Sequence, residues 1–560
     1  MHRSRAPRAL LRISLFALFA GALPRAARAQ AGFPHLDDAT VLARGQFRLD
    51  AASEWTRYNA LFAPAGSATA TMPLGGGFSF DSLGAAQLPA LSGTQSAIGA
   101  LTGSPFSLSL GRTMAAADAR VAVTPIRGEY GLTSRITLGF MVPLVRTRTS
   151  IMLRVNPTDS TGNVGINPAA VNPASLARDS AVFAQLVNAA GALQAAQQAC
   201  QANPAANPSC GAILARPGDV ASLLQSAATF STAFAAVYGE NAQTRGAPVV
   251  PVNGTVADLA IRGRLAAFNS SFRAFLHGGP LITSTPAGAG AVMGAGDLNT
   301  FLSDPGVAGF DSVASTIRIS TGDVELSVRV RLFDGFLDSA AARRPGALLA
   351  RSTLTALVTL PTGQVASPTN PADIGTGRGA MQVGGRFAAY LQQGDRLGLS
   401  AAAEDLQPTG KTKTGAFPIG AALPFPPNTS STFPYTPGAI TRLEVAPRFI
   451  ITHQLGVNAI YDYTNVAANT YASGSLISPA LGAQQPERPT ATWNGISTAP
   501  GAQQAAGFGI SYSSVPEYDR RKVGLPIDVT FTHLETLSGA YGMPKSWMDR
   551  IQVRFYYNRR

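Results

Sequence analysis

Charge is what this chain of 560 residues has least of. Asp, Glu, Lys and Arg make up 13% of it, about half the share found in soluble domains, while the hydrophobic fraction of 46% is ordinary. A chain that turns apolar side chains toward lipid needs few surface charges, because Ser, Thr, Asn, Gln and Gly fill its remaining polar positions. Cysteine is nearly absent, with Cys200 and Cys210 the two present. The turns Asn203-Pro204 and Asn207-Pro208 lie between them, so the pair reads as one local disulfide formed in an oxidising compartment. No histidine is near them, and a metal site is not expected. Long apolar runs are also missing: after residue 29 no segment is expected to be long and apolar enough for a transmembrane helix. The formal charge is +13, but the first 29 residues hold six arginines and no acid, which leaves about +7 for the rest. No Lys/Arg-rich run with interleaved aromatics occurs, which argues against nucleic acid as a partner.

Residues 1–29 have the organisation of a secretory signal. Arg3, Arg5, Arg8 and Arg12 precede an apolar run over 13–23 and the sequence Ala27-Arg28-Ala29, and cleavage is expected before Gln30. The apolar run is too short to span the roughly 20 residues a membrane helix needs. An exported chain of this size is then either soluble outside the cytoplasm or a β-barrel.

What the chain does contain is alternation. In 322–333, Val324, Leu326, Val328, Val330 and Leu332 share one parity while Glu325, Ser327, Arg329 and Arg331 share the other. Only a β-strand turns a period of two into two faces. The same pattern marks 348–360, 381–391 and 396–404, and further strands are expected over 46–58, 119–130, 136–145, 442–452, 455–463, 508–515, 525–533 and 547–557. Most are near the roughly 9–11 residues that cross a bilayer when tilted. Trp547 and Tyr557 fall near opposite ends of the last strand, where aromatic girdles lie.

The connections decide between a soluble sandwich and a barrel. They alternate long and short (60–117, 131–134, 152–315, 334–345, 362–379, 393–395, 408–440, 453–454, 467–505, 516–521), and 536–546 is intermediate. Outer-membrane barrels combine short periplasmic turns, longer outer loops and an even strand count. The expectation is an all-β membrane protein, an antiparallel transmembrane β-barrel of about 12 strands (12–14), formed by residues 30–560 with both termini periplasmic. Within it, 152–315 loses the β pattern. Residues 176–199, 219–238 and 256–277 show apolar spacings of three and four and read as helices, a helical insertion in one extracellular loop. Residues 60–117, rich in Gly, Ala, Ser and Pro, read as a long loop with a short strand at 106–110.

Four segments carry a family likeness: Gly322-Asp323-Val324-Glu325-Leu326, Arg331-Leu332-Phe333-Asp334, Leu360-Pro361-Thr362-Gly363 and Asp373-Ile374-Gly375-Thr376-Gly377. They resemble the core signature of outer-membrane proteins of the phenol-degradation meta-pathway type, relatives of long-chain fatty acid channels. A weaker echo lies in Tyr130-Gly131-Leu132-Thr133-Ser134-Arg135-Ile136. The resemblance implies a barrel that passes small hydrophobic or aromatic compounds.

No catalytic or cofactor site is expected. Gly375-Thr376-Gly377-Arg378-Gly379 follows a Pro-rich loop and precedes a strand, so it reads as a turn and not as a phosphate loop. His453 and His533, with Asp528 or Ser538 nearby, lack a G-x-S-x-G partner and sit at strand ends. The charged residues expected to face inward are Glu325, Arg329, Arg331, Arg351, Arg386, Glu404, Arg442, Glu444, Arg448, Arg550 and Arg554. They suit either a selective pore or a stabilising charge ladder. Two functions follow: a channel for small, hydrophobic or aromatic solutes, or a non-transporting barrel that anchors or displays the helical insertion. Expected partners are outer-membrane lipid and lipopolysaccharide, the barrel assembly machinery and a small hydrophobic solute.

Overall fold

The computed structural model describes residues 38–63, 68–156, 161–241, 243–244, 246–277, 282–304, 314–337, 346–366, 373–415, 431–468, 470–471, 474–476, 491–493, 496–497, 500–515, 525–540 and 542–558. The expected signal segment, 1–29, lies outside them. Twelve strands form one closed antiparallel sheet. They are β1 (Gln46–Phe62), β2 (Thr113–Gly131), β3 (Ile136–Val155), β4 in two segments (Thr316–Thr321 and Val324–Asp334), β5 (Leu348–Leu360) and β6 (Gln382–Gln393). The circuit continues with β7 (Leu397–Pro408), β8 (Ile440–Ile450), β9 (Leu455–Val466), β10 (Gly501–Ser513), β11 (Ile527–Gly539) and β12 (Pro544–Asn558). Each pairs with its sequence neighbour, and β1 closes the ring by pairing with both β12 (Gln46↔Asn558) and β2 (Phe47↔Tyr130). Closure leaves no unpaired edge among the barrel strands, the condition for a sheet in lipid.

Alternation sorts the two faces as the sequence indicates. Leu326, Val328, Val330 and Leu332 of β4, Leu443, Val445 and Phe449 of β8, and Ile551 and Phe555 of β12 are exposed on the outside. Glu325, Arg329, Arg386, Glu404, Glu444, Arg448 and Arg554 are buried on the inside. An outward apolar face with an inward charged one is the reverse of a soluble sandwich. Short turns and the described ends of β1 and β12 gather at one end of the barrel, here the turn end. The long connections leave from the other, the loop end.

Three of the four signature segments meet at one point, the break in β4, while 331–334 lies at the turn end of the same strand. Thr362 Oγ1 donates to the carbonyl of Gly322 (2.7 Å) and accepts from Val324 N–H (3.0 Å). The Asp323 carboxylate accepts from the amides of Gly363 (2.9 Å) and Arg378 (2.8 Å). Thr376 Oγ1 donates to the Thr321 carbonyl (3.1 Å) and accepts from Gln364 N–H (3.0 Å). A Cβ on Gly377 would come within 2.7 Å of Gly363 Cα, so this approach requires glycine. Gly375-Thr376-Gly377-Arg378-Gly379 is therefore a turn that clasps a β-bulge. Bulges of this kind are built features of barrel walls.

The hairpin β2–β3 is longer than the rest and carries a helical cap. The expected helices are present as α2 (Pro173–Ala202), α4 (Pro217–Tyr238) and α5 (Val256–Phe275), with α3 (Cys210–Ala215) between the first two and α6 (Ala295–Ser303) after the last. Asn172 caps α2 by accepting from Ala174 N–H with Pro173 following it, and Thr255 caps α5. Phe230, Phe234 and Val237 of α4 pack with Phe268 and Phe272 of α5 and with Leu186 and Leu193 of α2. By length and composition α4 is apolar enough to cross a membrane, contrary to the expectation that no such segment follows residue 29; its apolar face is taken up by this core instead. The first long connection also departs from expectation. It contains α1 (Ser92–Thr102), whose Ile98 and Leu101 enter the same core together with Leu83, Leu88, Leu91 and Leu108. The strand expected at 106–110 is reduced to an isolated bridge, Gly84↔Ser109. Cys200 and Cys210 are disulfide-bonded, tying the end of α2 to the start of α3. At the root of the cap, Asn156 adopts a left-handed backbone (φ 47°) and its Nδ2 donates to the carbonyls of Leu110 (3.1 Å) and Met293 (3.0 Å).

Candidate channel lumen

The lumen has two levels. At the turn end it is filled by the segment that precedes β1. Asp38 (2% exposed) lies between Arg48 (3.0 Å) and Arg554, and Arg329 is 3.9 Å away. Arg48 also holds Glu129 (Nε, 2.6 Å), which Arg329 reaches from the other side (3.2 Å). Arg554 Nε donates to Asp50 (2.9 Å). These six groups, three guanidiniums and three carboxylates drawn from β1, β2, β4, β12 and the leading segment, cancel in formal charge. A buried charge is tolerable only when paired and hydrogen-bonded in this way. The leading segment then crosses the lumen. Arg329 Nη1 donates to the Thr40 carbonyl (3.0 Å) and Arg351 to Thr40 Oγ1 (3.3 Å). Leu42 N–H donates to Thr137 Oγ1 (3.0 Å), and Ala39 packs with Ala388 and Tyr390 of β6. Arg48, Asp38 and Leu42 are 1–2% exposed, so the described part of the segment is tightly packed against the barrel wall at this level.

Above it lies a cavity of about 540 Å³ that extends to the loop-end rim. One part of its wall is apolar: Val123 and Pro125 of β2, Met141 and Pro143 of β3, and Ile440, Val466, Leu534 and Met548 across the barrel. The other part is charged: Asp50, Glu54, Arg127, Glu325, Arg386, Arg442, Asp462 and Arg550. Glu404 lies against the cavity and pairs with Arg386 (Nε, 2.7 Å) and Arg442 (3.4 Å), while Arg386 also faces Glu325 (3.6 Å). Four acids and four arginines balance in this part of the wall. It offers an apolar strip beside hydrogen-bonding groups.

The residues singled out in the sequence thus divide by height. Glu325, Arg386, Arg442 and Arg550 line the cavity. Arg329, Arg351 and Arg554 hold the leading segment. Arg448 is buried among β8 to β10, donating to Ser511 Oγ (2.9 Å); Glu444 is buried on β8, and Arg331 is half-buried opposite Thr353. The charges expected to face inward omit Asp38, Arg48, Asp50, Glu54, Arg127, Glu129 and Asp462, although Arg48, Asp50 and Glu54 form the polar parity of 46–58. All but Asp38 were within reach of the parity rule on their own strands. Asp38 precedes any periodic segment and carries no local signal. His533 faces outward, its Nδ1 2.7 Å from Asp549 beside the Phe508 ring, and takes no part in the lumen.

No family model and no curated protein matches this chain. Among solved structures it is similar to an outer membrane channel from Pseudomonas putida F1 (TM-score 0.38, 9% identity, covering 93% of this chain and 98% of that one). It is also similar to the translocator domain of the autotransporter NalP from Neisseria meningitidis (0.25, 7%, 92% and 89%) and to the Pseudomonas putida toluene transporter TodX (0.19, 11%, 92% and 89%). These are distant likenesses, and the barrel rests on its own strand pairing.

Proposed function

We propose that the chain is an outer-membrane channel for small hydrophobic or aromatic solutes. The observation that carries this reading is the cavity of about 540 Å³ between the loop-end rim and the ion-paired segment. Its volume lies in the range of small-molecule sites, roughly 300–1,000 Å³, and such sites combine apolar walls with a few fixed polar groups. The resemblance of the β4–β6 signature to phenol-degradation meta-pathway proteins supports an aromatic solute. The short turns and both described chain ends face the periplasm in this reading, after removal of residues 1–29, and the cap faces outward. Lipid, lipopolysaccharide and the barrel assembly machinery are the partners such a location implies.

One observation favours a second reading, a barrel that anchors the cap. The cap has its own contiguous core and holds itself together through α1, α2, α4 and α5. Single-channel recording on the purified protein in planar bilayers separates the two. A channel gives discrete conductance steps, and an anchor gives none.

A further inference from the structure

The outer wall carries a feature that transport through the lumen does not use. On the outside of β3 the apolar series Leu138, Phe140 and Leu144 ends, and Arg146 and Arg148 follow it toward the loop end. On β1 the corresponding step is Trp55 to Arg57, and on β2 it is Ala122 to Arg120. Register brings these together. Arg57, Arg120 and Arg148 are direct cross-strand partners in one row, with Trp547 of β12 opposite Arg57, while Arg146 is opposite Ala122 in the next row. Like charges directly opposite on a sheet face are destabilising. Asp118 answers two of them, at 2.8 Å from Arg57 Nε and 2.9 Å from Arg120 Nε. Among the described residues no carboxylate answers Arg146 or Arg148, which leaves a local surplus of three positive charges.

These side chains border a groove of about 350 Å³ on the outer surface, flanked by Trp55 and Trp547. Exposed tryptophans at this height mark the boundary between hydrocarbon and headgroup. A row of guanidiniums just beyond that boundary stands where lipid headgroups are, and guanidinium matches phosphate with paired hydrogen bonds. We infer that this groove binds the bis-phosphorylated sugar headgroup of the outer-leaflet glycolipid. The row spans two strand spacings, about 10 Å, which suits two phosphates on one rigid headgroup better than the single phosphate of a phospholipid. The acyl chains lie along Leu144, Phe140 and the Trp55 ring below. The inference rests on the outer-membrane reading, with the loop end outward, and is independent of whether the lumen conducts.

The test is native mass spectrometry of the delipidated full-length barrel in detergent, titrated with bis-phosphorylated lipid A, its monophosphoryl form, phosphatidylglycerol or inorganic phosphate. Each arginine beside an anionic headgroup carries roughly a fivefold effect. Arg146→Ala/Arg148→Ala is therefore expected to weaken lipid A binding more than ~10-fold, with the monophosphoryl form intermediate for the wild type and inorganic phosphate unable to compete. Retained heat-modifiable migration shows that the variant is folded; the milder single variant Arg148→Ala serves if it is not. Equal binding by wild type and folded variant overturns the site, as does phosphatidylglycerol binding as tightly as lipid A. Orientation is read separately with a membrane-impermeant thiol reagent on intact cells, which labels Val171→Cys in the cap and spares Ser134→Cys in the β2–β3 turn. Reversed labelling overturns the outer-membrane orientation and the site together. Correct labelling with unchanged lipid binding overturns the site alone.

Discussion

Asp38→Ala isolates the hold on the segment that fills the turn end of the lumen. The Asp38 carboxylate is almost wholly buried between Arg48 and Arg554, with Arg329 at its edge. Removing it leaves three guanidiniums facing two carboxylates, Glu129 and Asp50. Breaking a buried pair by removing one partner costs about 3–5 kcal/mol. What remains to keep the segment docked is the pair of guanidinium hydrogen bonds to Thr40, the Leu42 amide bond to Thr137, the burial of Leu42 and the packing of Ala39 against Ala388 and Tyr390. Hydrogen bonds to charged groups contribute about 1.5–3 kcal/mol each, the neutral one about 1 kcal/mol and the leucine about 2 kcal/mol, so docking is weakened and not abolished. A loss of about 3–5 kcal/mol should raise the released population roughly 10²–10³-fold over the wild type. The barrel strands lose none of their backbone pairing, so heat-modifiable migration should persist. In planar bilayers the variant should show larger or longer openings than the wild type, with Asp38→Asn intermediate because it keeps a hydrogen-bonding group of the same shape. A folded Asp38→Ala barrel whose conductance matches the wild type would refute the claim that this segment is the barrier.

Val328→Arg places a charge on the lipid face midway along β4 and should cost about 2–4 kcal/mol of barrel stability in urea titrations in lipid; an unchanged midpoint would show that the faces are inverted. Asp179 of α2 is wholly buried in the cap, accepting from Ala287 N–H, and burial pushes its carboxyl from 3.8 up to about 7. The folded cap then holds a proton that the unfolded chain releases between these values. Cap stability should be greatest below about pH 4, fall as pH rises toward 7 and stay level above it, and Asp179→Asn should flatten this profile in thermal melts of the helical signal. Cys200→Ser should lower cap stability by about 3 kcal/mol, the loop-closure value for a ring this short, and leave the barrel's migration unaltered; a barrel that no longer assembles would contradict the independence of cap and barrel. Deleting 158–311 alone should expose Leu83, Ile98, Leu101 and Leu108, so a soluble capless barrel requires removal of the first long connection as well.

Much of the barrel was legible because its two solvents differ. Val328 outward and Arg329 inward make a period of two visible over any short window. The signal failed where that contrast fades. The start of β2, Met114-Ala115-Ala116-Ala117, has no polar face, and Arg146-Thr147-Arg148-Thr149 of β3 has no apolar one, so alternation marks only 119–130 and 136–145. Residues 114–117 pair with 151–154, and 146–149 with 119–122, which extends the hairpin. Helix α1 was hidden by Gly93 and Gly99, which lower helical propensity; burial of Ile98 and Leu101 against α4 and α5 overrides it. The lumen charges on β4, β6 and β8 were named from parity alone. Their division into a cavity wall and a closed floor depends on Asp38 and Thr40, whose partners are hundreds of residues away on Arg329, Arg351 and Arg554.

Solute entry into vesicles tests the central claim most directly. Outer-membrane vesicles with a lipopolysaccharide leaflet slow the passage of hydrophobic solutes, and the uptake of a labelled phenol-sized aromatic can be followed with and without the barrel. A channel predicts faster filling of barrel-containing vesicles, and faster filling again with Asp38→Ala. Equal rates in vesicles with wild type, with Asp38→Ala and with no barrel would contradict it.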